Sequence, residues 1–162
     1  LEKLFLLIEG DAVSLLPVAR TEKEKASLYE ETRLHNYEGL VLKPINEGYK
    51  QGDKNSWRKV KHYNTADVVV MELQRNEKDQ AVTIGAYNDN QVLVELSGLK
   101  IPYHYLKDAQ VGDVVEVRYL YATPDQKLNI PTFLRKRVDK PAEECYTSQL
   151  VHATKQVIKG LT

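Results

Sequence analysis

Two lysines in the segment from Trp57 to Lys61 (Trp-Arg-Lys-Val-Lys) have the type and spacing needed for chemistry on a phosphate group. Side chains alternate along an extended strand, so Trp57, Lys59 and Lys61 would share one face. Two ammonium groups in one space repel each other unless an anion lies between them. A nucleotide α-phosphate would supply that anion, and the lysines would stabilise the charge that develops during its transfer. The alternative is a surface edge strand whose lysines discourage aggregation.

A carboxylate suited to a metal begins a second extended segment, Glu38 to Lys43 (Glu-Gly-Leu-Val-Leu-Lys), whose Leu-Val-Leu content predicts a buried strand. Gly39 allows the backbone to approach a ligand closely, and the Glu38 carboxylate could hold Mg²⁺. Strict alternation puts Glu38 and Lys43 on opposite faces, so both reach one pocket only if the strand twists or Lys43 acts from its end. Glu38 is therefore the better-supported residue of the two. The alternative is a plain turn before a strand.

A third segment, Arg135 to Lys140 (Arg-Lys-Arg-Val-Asp-Lys), concentrates basic charge. Arg137 offers a planar fork for bidentate phosphate contact, and Lys140 offers a point charge. Asp139 could orient either cation. The alternative is a strand exit whose basic residues pair with nearby acids such as Glu143.

In this order the three segments resemble the last three motifs of the covalent nucleotidyltransferases, a superfamily of ATP-dependent DNA ligases, RNA ligases and mRNA capping enzymes. A Tyr49-x-x-Gly52 loop, the segment from Val111 to Val117 and the Arg-x-Arg-x-Asp-Lys spelling are most similar to those of DNA ligases. Each motif is weak alone, but three in the family's order make coincidence a poor explanation. The resemblance covers nearly all of the chain, less clearly before Val13 and after Cys145.

One motif of the family is missing from these residues. The family attacks ATP with a lysine in a Lys-x-Asp-Gly motif, and no lysine of this chain stands in that motif; the chain also begins at Leu1. We therefore expect the C-terminal part of a longer ligase, unable by itself to form an enzyme-AMP adduct. Residues 1–63 would be the C-terminal portion of the adenylation (nucleotidyltransferase) domain. Residues 64–162 would be an OB-fold domain with a C-terminal helix, and residues 62–65 would act as a hinge.

By resemblance, the residues that bind ATP or take part in its reaction are Glu38, Lys43, Lys59, Lys61, Arg137, Asp139 and Lys140. The two lysines of the Lys-x-Lys motif would contact the α-phosphate. Arg137 and Lys140 would face the β- and γ-phosphates, and Asp139 would orient one of them or the leaving pyrophosphate. Glu38 corresponds to a glutamate that supports the metal, Mg²⁺ or Mn²⁺.

The resemblance also implies partners. The ligase would seal nicked duplex DNA in replication and repair, through enzyme-AMP and DNA-adenylate intermediates, and would need the N-terminal adenylation region of the same protein. We expect a monomer inside the cell, in the cytoplasm and nucleoid or in the nucleus, without membrane contact. The alternatives are an RNA ligase, a capping guanylyltransferase, and an OB-type module that stacks single-stranded nucleic acid on Tyr103, Tyr105, Tyr119 and Tyr121.

Composition sets outer limits on these interpretations. With 162 residues, 42% of them apolar, the chain is long enough for one ordinary domain or two small ones. Its 23 basic and 23 acidic residues cancel, so only the local clusters point to nucleic acid. Cys145 is the only cysteine, which excludes an internal disulfide, and the scattered histidines give no support to a zinc site. The apolar run from Leu4 to Ile8 is too short to span a bilayer.

Local patterns predict a mainly β fold with some α (α+β), containing a five-stranded OB-fold barrel. Thr21 and Glu24 form a capping box that opens a helix through about Leu34, and Asn36 would end it. Besides the motif strands, the predicted strands are 13–18, 66–73, 81–87, 91–96, 114–121 and 128–137. The predicted turns are 88–90, 97–98 and 111–113, with a short helix at 103–109 and a C-terminal helix at 143–159.

Overall fold

The computed structural model describes residues 16–46, 51–52, 57–75 and 80–152. The helices are α1 (Glu22–Leu34) and α2 (Tyr103–Leu106). The strands are β1 (Gly39–Leu42), β2 (Arg58–Lys61), β3 (Asn64–Arg75), β4 (Gln80–Tyr87), β5 (Leu93–Lys100), β6 (Val114–Tyr119) and β7 (Thr132–Arg137). The predicted class, mainly β with some α, is confirmed. No helix within these ranges is long and apolar enough to cross a membrane.

Helix α1 begins at the predicted capping box. The Glu24 N–H donates to the Thr21 hydroxyl at 3.3 Å, and the Thr21 N–H donates to the Glu24 carboxylate at 3.0 Å. These two bonds satisfy N–H groups that the first helical turn leaves without intrahelical partners. The helix ends at Leu34, and Asn36 follows with a φ of 54°, the left-handed conformation that asparagine tolerates.

Strands β1 and β2 form a two-stranded antiparallel sheet that carries two of the motifs. Leu40 pairs with Val60, and Val41 pairs with Lys59. The segment predicted as a buried strand is extended as expected, but the prediction of burial is wrong, since Val41 is 49% and Leu42 48% exposed. Two strands alone do not bury both of their faces, so these side chains remain half-exposed.

Strands β3 to β7 form a second sheet, antiparallel throughout, in the order β5-β4-β3-β6-β7. The central strand β3 pairs with β4 and β6, and α2 lies between β5 and β6 in the chain, an arrangement that fits a five-stranded OB-fold. Val68, Ile84, Val117 and Tyr119 are fully buried in its core. Each buried aliphatic side chain contributes roughly 1.5–3 kcal/mol of hydrophobic stabilisation.

Two of the three turns predicted for this sheet, at 88–90 and 111–113, are confirmed. Asn88 accepts the Gln91 N–H at 2.9 Å in the first predicted turn, and Gly112 has a φ of 93° in the third. The turn predicted at 97–98 is wrong, because both residues lie inside β5. Ser97 pairs with Ile84 beyond a shift in register, so β4 provides a partner that keeps β5 extended.

The predicted C-terminal helix is wrong over residues 143–152, and residues 153–159 lie outside the described chain. Two 3₁₀ turns, Ala142–Glu144 and Thr147–Gln149, stand in its place. Residues 141–152, here called the C-terminal strap, form these turns and also hydrogen-bond to residues of the large sheet. The Tyr87 N–H donates to the Cys145 carbonyl at 2.7 Å, and Cys145 is fully buried, which raises the pKa of its thiol to about 11.

Two further sequence features fall wholly or partly outside the described residues. Tyr49 of the Tyr-x-x-Gly loop is one of them, whereas Gly52 lies in a turn with a φ of 82°. Of the strand predicted at 13–18, only 16–18 are described. Strand was the wrong prediction there, because these residues pair with no strand of the described chain.

Candidate functional site

The hairpin cluster consists of Glu38, Lys59 and Lys61, where β1 and β2 meet. Lys61 Nζ lies 2.9 Å from Glu38 Oε1, and this carboxylate raises the pKa of Lys61 by stabilising its protonated form. Lys59 and Lys61 pair with Val41 and Gly39, so the two lysines share one face, as predicted. The anion beside Lys61 in this structure is the Glu38 carboxylate, whereas the sequence predicts a phosphate there.

Gly39 explains how Glu38 reaches Lys61 despite the alternation of the strand. Its φ of 145° is a conformation that favours glycine. A Cβ placed there would lie 1.9 Å from the Val60 carbonyl oxygen, so β2 packs directly against this position. The His62 N–H also donates to the Glu38 carbonyl at 2.9 Å. The close approach that glycine allows is therefore to the neighbouring strand.

Lys43 stands apart from the hairpin cluster. Its Nζ lies 4.0 Å from the centroid of the Trp57 ring, in cation–π geometry. Lys43 follows β1 and Trp57 precedes β2, so both lie at the loop end of the hairpin. The structure therefore places Lys43 with Trp57 and not with Glu38, consistent with the alternation that separates Glu38 and Lys43 in the sequence.

A cavity of about 330 Å³ opens beside the hairpin cluster. Its lining residues include Tyr29, Arg33, Glu38, Lys61, Tyr121 and His152. His62, in the predicted hinge, also lines it and is held by the Thr32 hydroxyl, 3.0 Å from its Nε2, and by the edge of the Tyr29 ring. The cavity thus lies where the chain passes from the hairpin into the large sheet.

A second set of charges, the sheet cluster, consists of Asp67, Arg137, Asp139 and Lys140. Arg137 Nη1 donates to both Asp67 oxygens at 3.0 and 3.1 Å. Arg137 Nε and Nη2 donate to the two Asp139 oxygens at 2.9 and 2.8 Å. Lys140 Nζ donates to Asp67 Oδ2 at 2.9 Å. The last motif therefore folds back onto the central strand β3.

These ion pairs favour the charged forms of their members. The hydrogen bond from Arg137 lowers the pKa of Asp139 from 3.8 to about 2. The carboxylates, Asp139 first and Asp67 after it, raise the pKa of Arg137 above its already high value. Arg137 and Lys140, the two cations predicted to face phosphates, are thus each already paired with a carboxylate of this cluster.

Asp67 is a residue that the sequence reasoning missed. It lies in the run Ala66 to Val70, where it is the sole polar residue. Its side chain is 14% exposed, and it lies opposite Glu116 of β6. A lone carboxylate inside a hydrophobic strand needs a partner when it is buried, and that is the signal that could have marked it.

The hairpin cluster and the sheet cluster lie on different sheets. Asp67 of the sheet cluster is three residues beyond Asn64, the first residue of β3, which corresponds to about 10 Å of extended strand. Among the described residues, no ion pair joins the two clusters.

The described residues give limited support for a metal site at Glu38. No group of three or more His, Cys, Asp or Glu residues within the described ranges could hold a metal ion. Glu38 offers a single carboxylate, 58% exposed, whose Oε1 already contacts Lys61. One carboxylate fits Mg²⁺ only if phosphate oxygens and water complete the octahedral shell.

The four tyrosines considered for base stacking do not form one platform. Tyr119 is fully buried, and its hydroxyl accepts the Val151 N–H at 2.9 Å. Tyr105 packs against Phe133 with 4.8 Å between ring centroids, whereas Tyr103 is 65% exposed. The suggestion that all four could stack on bases is therefore wrong, because Tyr119 belongs to the core.

Comparisons of sequence connect the chain to one curated relative. The chain is 29% identical over 134 residues to a DNA ligase of Enterobacteria phage T3. This match covers 72% of the chain and 38% of the phage protein. No family model matches the chain.

Comparisons of structure agree in fold. A solved structure from a study of DNA binding by Lig E DNA ligases aligns with a TM-score of 0.56 at 20% identity, over 75% of this chain and 48% of that one. A structure named Pmar-Lig aligns with a TM-score of 0.57 at 18% identity, over 74% of this chain and 32% of that one. The chain spans less than half the length of each of these proteins. Over about three quarters of its length, the chain resembles DNA ligases, as the order of its motifs predicts.

Proposed function

We propose that this chain is the C-terminal part of an ATP-dependent DNA ligase that seals nicks in duplex DNA. Residues 1–63 belong to the end of its adenylation domain, and residues 64–162 form its OB-fold domain. The observation that carries this proposal is the ion pair between Glu38 and Lys61, 2.9 Å apart beside a cavity. Glu38 and Lys61 come from two separate motifs. A chance likeness in sequence gives no reason for the two motifs to be in contact.

In this proposal the hairpin cluster handles the α-phosphate of ATP. Lys59 and Lys61 lie on one face of β2, and a phosphate between them offsets their repulsion. Their positive charges stabilise the negative charge that develops on the phosphate in the transition state. Lys61 then exchanges its ion pair with Glu38 for the phosphate. Mg²⁺ or Mn²⁺, when bound, neutralises phosphate charge, and Glu38 supplies one carboxylate to it. Lys43 supports the nucleotide from the end of β1.

The sheet cluster serves the first step, in which a lysine attacks ATP and pyrophosphate leaves. Arg137 and Lys140 bind the β- and γ-phosphates, and Asp139 orients Arg137. Because no ion pair among the described residues joins the two clusters, the OB-fold domain has to move about residues 62–65 to bring them onto one nucleotide. The same movement frees the domain to grip nicked DNA for the two later steps, mostly through phosphate contacts.

This chain alone is expected not to form a covalent AMP adduct, because none of its lysines stands in a Lys-x-Asp-Gly motif. The experiment is to read the coding region upstream in frame, then to express the complete protein and incubate it with labelled ATP or GTP. We expect a Lys-x-Asp-Gly motif, an adduct with ATP, and sealing of a nicked duplex by a monomer. An adduct on the 162 residues by themselves would contradict the proposal.

The alternatives give different results in the same assays. Labelling by GTP in place of ATP would identify a capping guanylyltransferase, and sealing of RNA but not DNA would identify an RNA ligase. A reading frame without the lysine motif, combined with preference for single strands over nicked duplex, would identify an OB-type binding module. Tyr103 is 65% exposed and would then be the first candidate for stacking.

A further inference from the structure

Asp67 lies outside all three motifs, yet Arg137 and Lys140 of the last motif both contact it. We propose that Asp67 is a positioning residue that sets Arg137 and Lys140 side by side as a seat for the pyrophosphate portion of ATP. The inference rests on the proposed ligase function and adds a residue to it. Asp67 itself does not contact the nucleotide in this arrangement.

The position of Asp67 is fixed from several sides. It lies on β3, the central strand, opposite Glu116 of β6. Its N–H donates to Gln149 Oε1 at 2.9 Å, and its carbonyl accepts from Gln149 Nε2 at 2.9 Å. Its side chain is only 14% exposed. A carboxylate held this firmly gives a constant reference point for the two cations that contact it.

Arg137 uses two different edges of its guanidinium. Nη1 faces Asp67, whereas Nε and Nη2 face Asp139. Asp139 is 65% exposed and follows the end of β7, so it is the carboxylate free to leave. The edge with Nε and Nη2 binds carboxylate and phosphate with the same fork geometry. A phosphate group that displaces Asp139 therefore meets Arg137 already oriented by Asp67.

The charges of the cluster support this exchange. With Asp139 in place, two cations and two carboxylates cancel, since +2 − 2 = 0. After Asp139 leaves, the sum is +2 − 1 = +1, and the attraction for a polyphosphate rises. Arg137 Nη1 and Lys140 Nζ each lie about 3 Å from the same carboxylate, so they remain within roughly 6 Å of each other.

The competing explanation is that Asp67 only neutralises its neighbours. The two explanations predict opposite signs, because removal of a neutralising anion strengthens phosphate binding whereas loss of positioning weakens it. The test is the affinity of the 162-residue chain for inorganic pyrophosphate, by calorimetry, for the unmodified chain and for Asp67→Asn. Glu116→Gln is the matched control, since it removes one negative charge at the paired position, where the partner is Arg135.

We expect Asp67→Asn to weaken pyrophosphate binding at least about threefold although it removes a negative charge, and Glu116→Gln to leave binding unchanged or slightly tighter. Equal or tighter binding by Asp67→Asn would overturn the inference. So would the absence of pyrophosphate binding by the unmodified chain. In either case the ligase proposal keeps its own test, the sealing assay on the complete protein.

A measurement on the unmodified chain keeps the inference testable if Asp67→Asn does not fold. Carboxyl ¹³C signals and the Arg137 Nε–H signal are followed by NMR during titration with pyrophosphate. Displacement of Asp139 shifts the Asp139 and Arg137 signals and leaves the Asp67 signal nearly unchanged. A shift of Asp67 as large as that of Asp139 would show that Asp67 is displaced as well, and the inference would be wrong.

Discussion

The two charged clusters rest on very different supports. Glu38 and Lys61 form one ion pair on a two-stranded sheet, and Glu38 is 58% exposed. Asp67, by contrast, lies on the central strand of a five-stranded sheet, and two cations converge on it. A single exposed pair is easily exchanged for another partner, whereas a network anchored on a core strand keeps its geometry. The ion pair of the hairpin is therefore suited to release Lys61 to a ligand, whereas the sheet cluster is suited to keep Arg137 and Lys140 aligned.

The largest difference between the two sheets is expected in how much a core substitution lowers the free energy of unfolding. Ile84 is fully buried in the core of the large sheet, so Ile84→Ala is expected to lower the free energy of unfolding by about 2–5 kcal/mol. Leu42 of the hairpin is 48% exposed, and Leu42→Ala should change it by no more than about 0.5 kcal/mol. Urea unfolding measures both. Similar losses would mean that the hairpin is as well supported as the sheet.

The next largest effect is expected at the C-terminal strap. The Gln149 side chain bonds the N–H and the carbonyl of Asp67, so Gln149→Ala leaves two backbone groups without these partners. We expect a loss of about 1–3 kcal/mol and faster hydrogen exchange at the Tyr87 and Asp67 amides. Ser148→Ala, at the exposed neighbouring position, is the control. Unchanged exchange in Gln149→Ala would contradict the role given to the strap.

The two clusters are also expected to affect the pH dependence of the unfolding free energy differently, and the sheet cluster acts at acid pH. The pKa of Asp139 falls from 3.8 to about 2 in the folded protein, so its contribution is complete above pH 3.8 and is lost as the pH falls through about 2. Between these values, the unfolding free energy of Asp139→Asn should depend less steeply on pH than that of the unmodified protein. An Asp139 carboxyl that titrates near 3.8 by NMR would rule this out.

The smallest effect concerns the hairpin and lies at alkaline pH. The pKa of Lys61 is raised by Glu38, so the contribution of this pair is complete up to about pH 10.5 and is lost as the pH rises through the higher folded value. Lys61→Ala should therefore flatten the alkaline limb of the stability curve slightly and leave the acid limb unchanged. An acid-side change as large as that of Asp139→Asn would contradict the assignment.

Local interactions explain what the sequence predicts well. The capping box of Thr21 and Glu24 involves residues three apart, and short valine-rich runs mark the central strands β3 and β6 of the large sheet, where these valines are buried. The Lys-x-Lys face follows from the alternation of side chains along a strand. These features are readable because their causes lie within a few residues of one another.

Distant partners explain what the sequence does not predict. Residues 143–152 have a composition that allows a helix, but several of their hydrogen bonds go to distant residues, Tyr87, Ala122 and Asp67. Asp67 was missed because its partner Arg137 lies 70 positions away. The sequence alone also does not predict that the Glu38 carboxylate contacts Lys61, the lysine expected to contact a phosphate.

The most direct test of the account is a comparison of two matched lysine variants in the complete protein. Lys61 and Lys127 each pair with a glutamate, at 2.9 and 2.8 Å, but only Lys61 belongs to a motif. We predict that Lys61→Ala lowers the rate of ATP-dependent nick sealing by roughly 100-fold or more, whereas Lys127→Ala leaves it unchanged. Equal rates for the two variants would contradict the central claim that the hairpin cluster acts on phosphate.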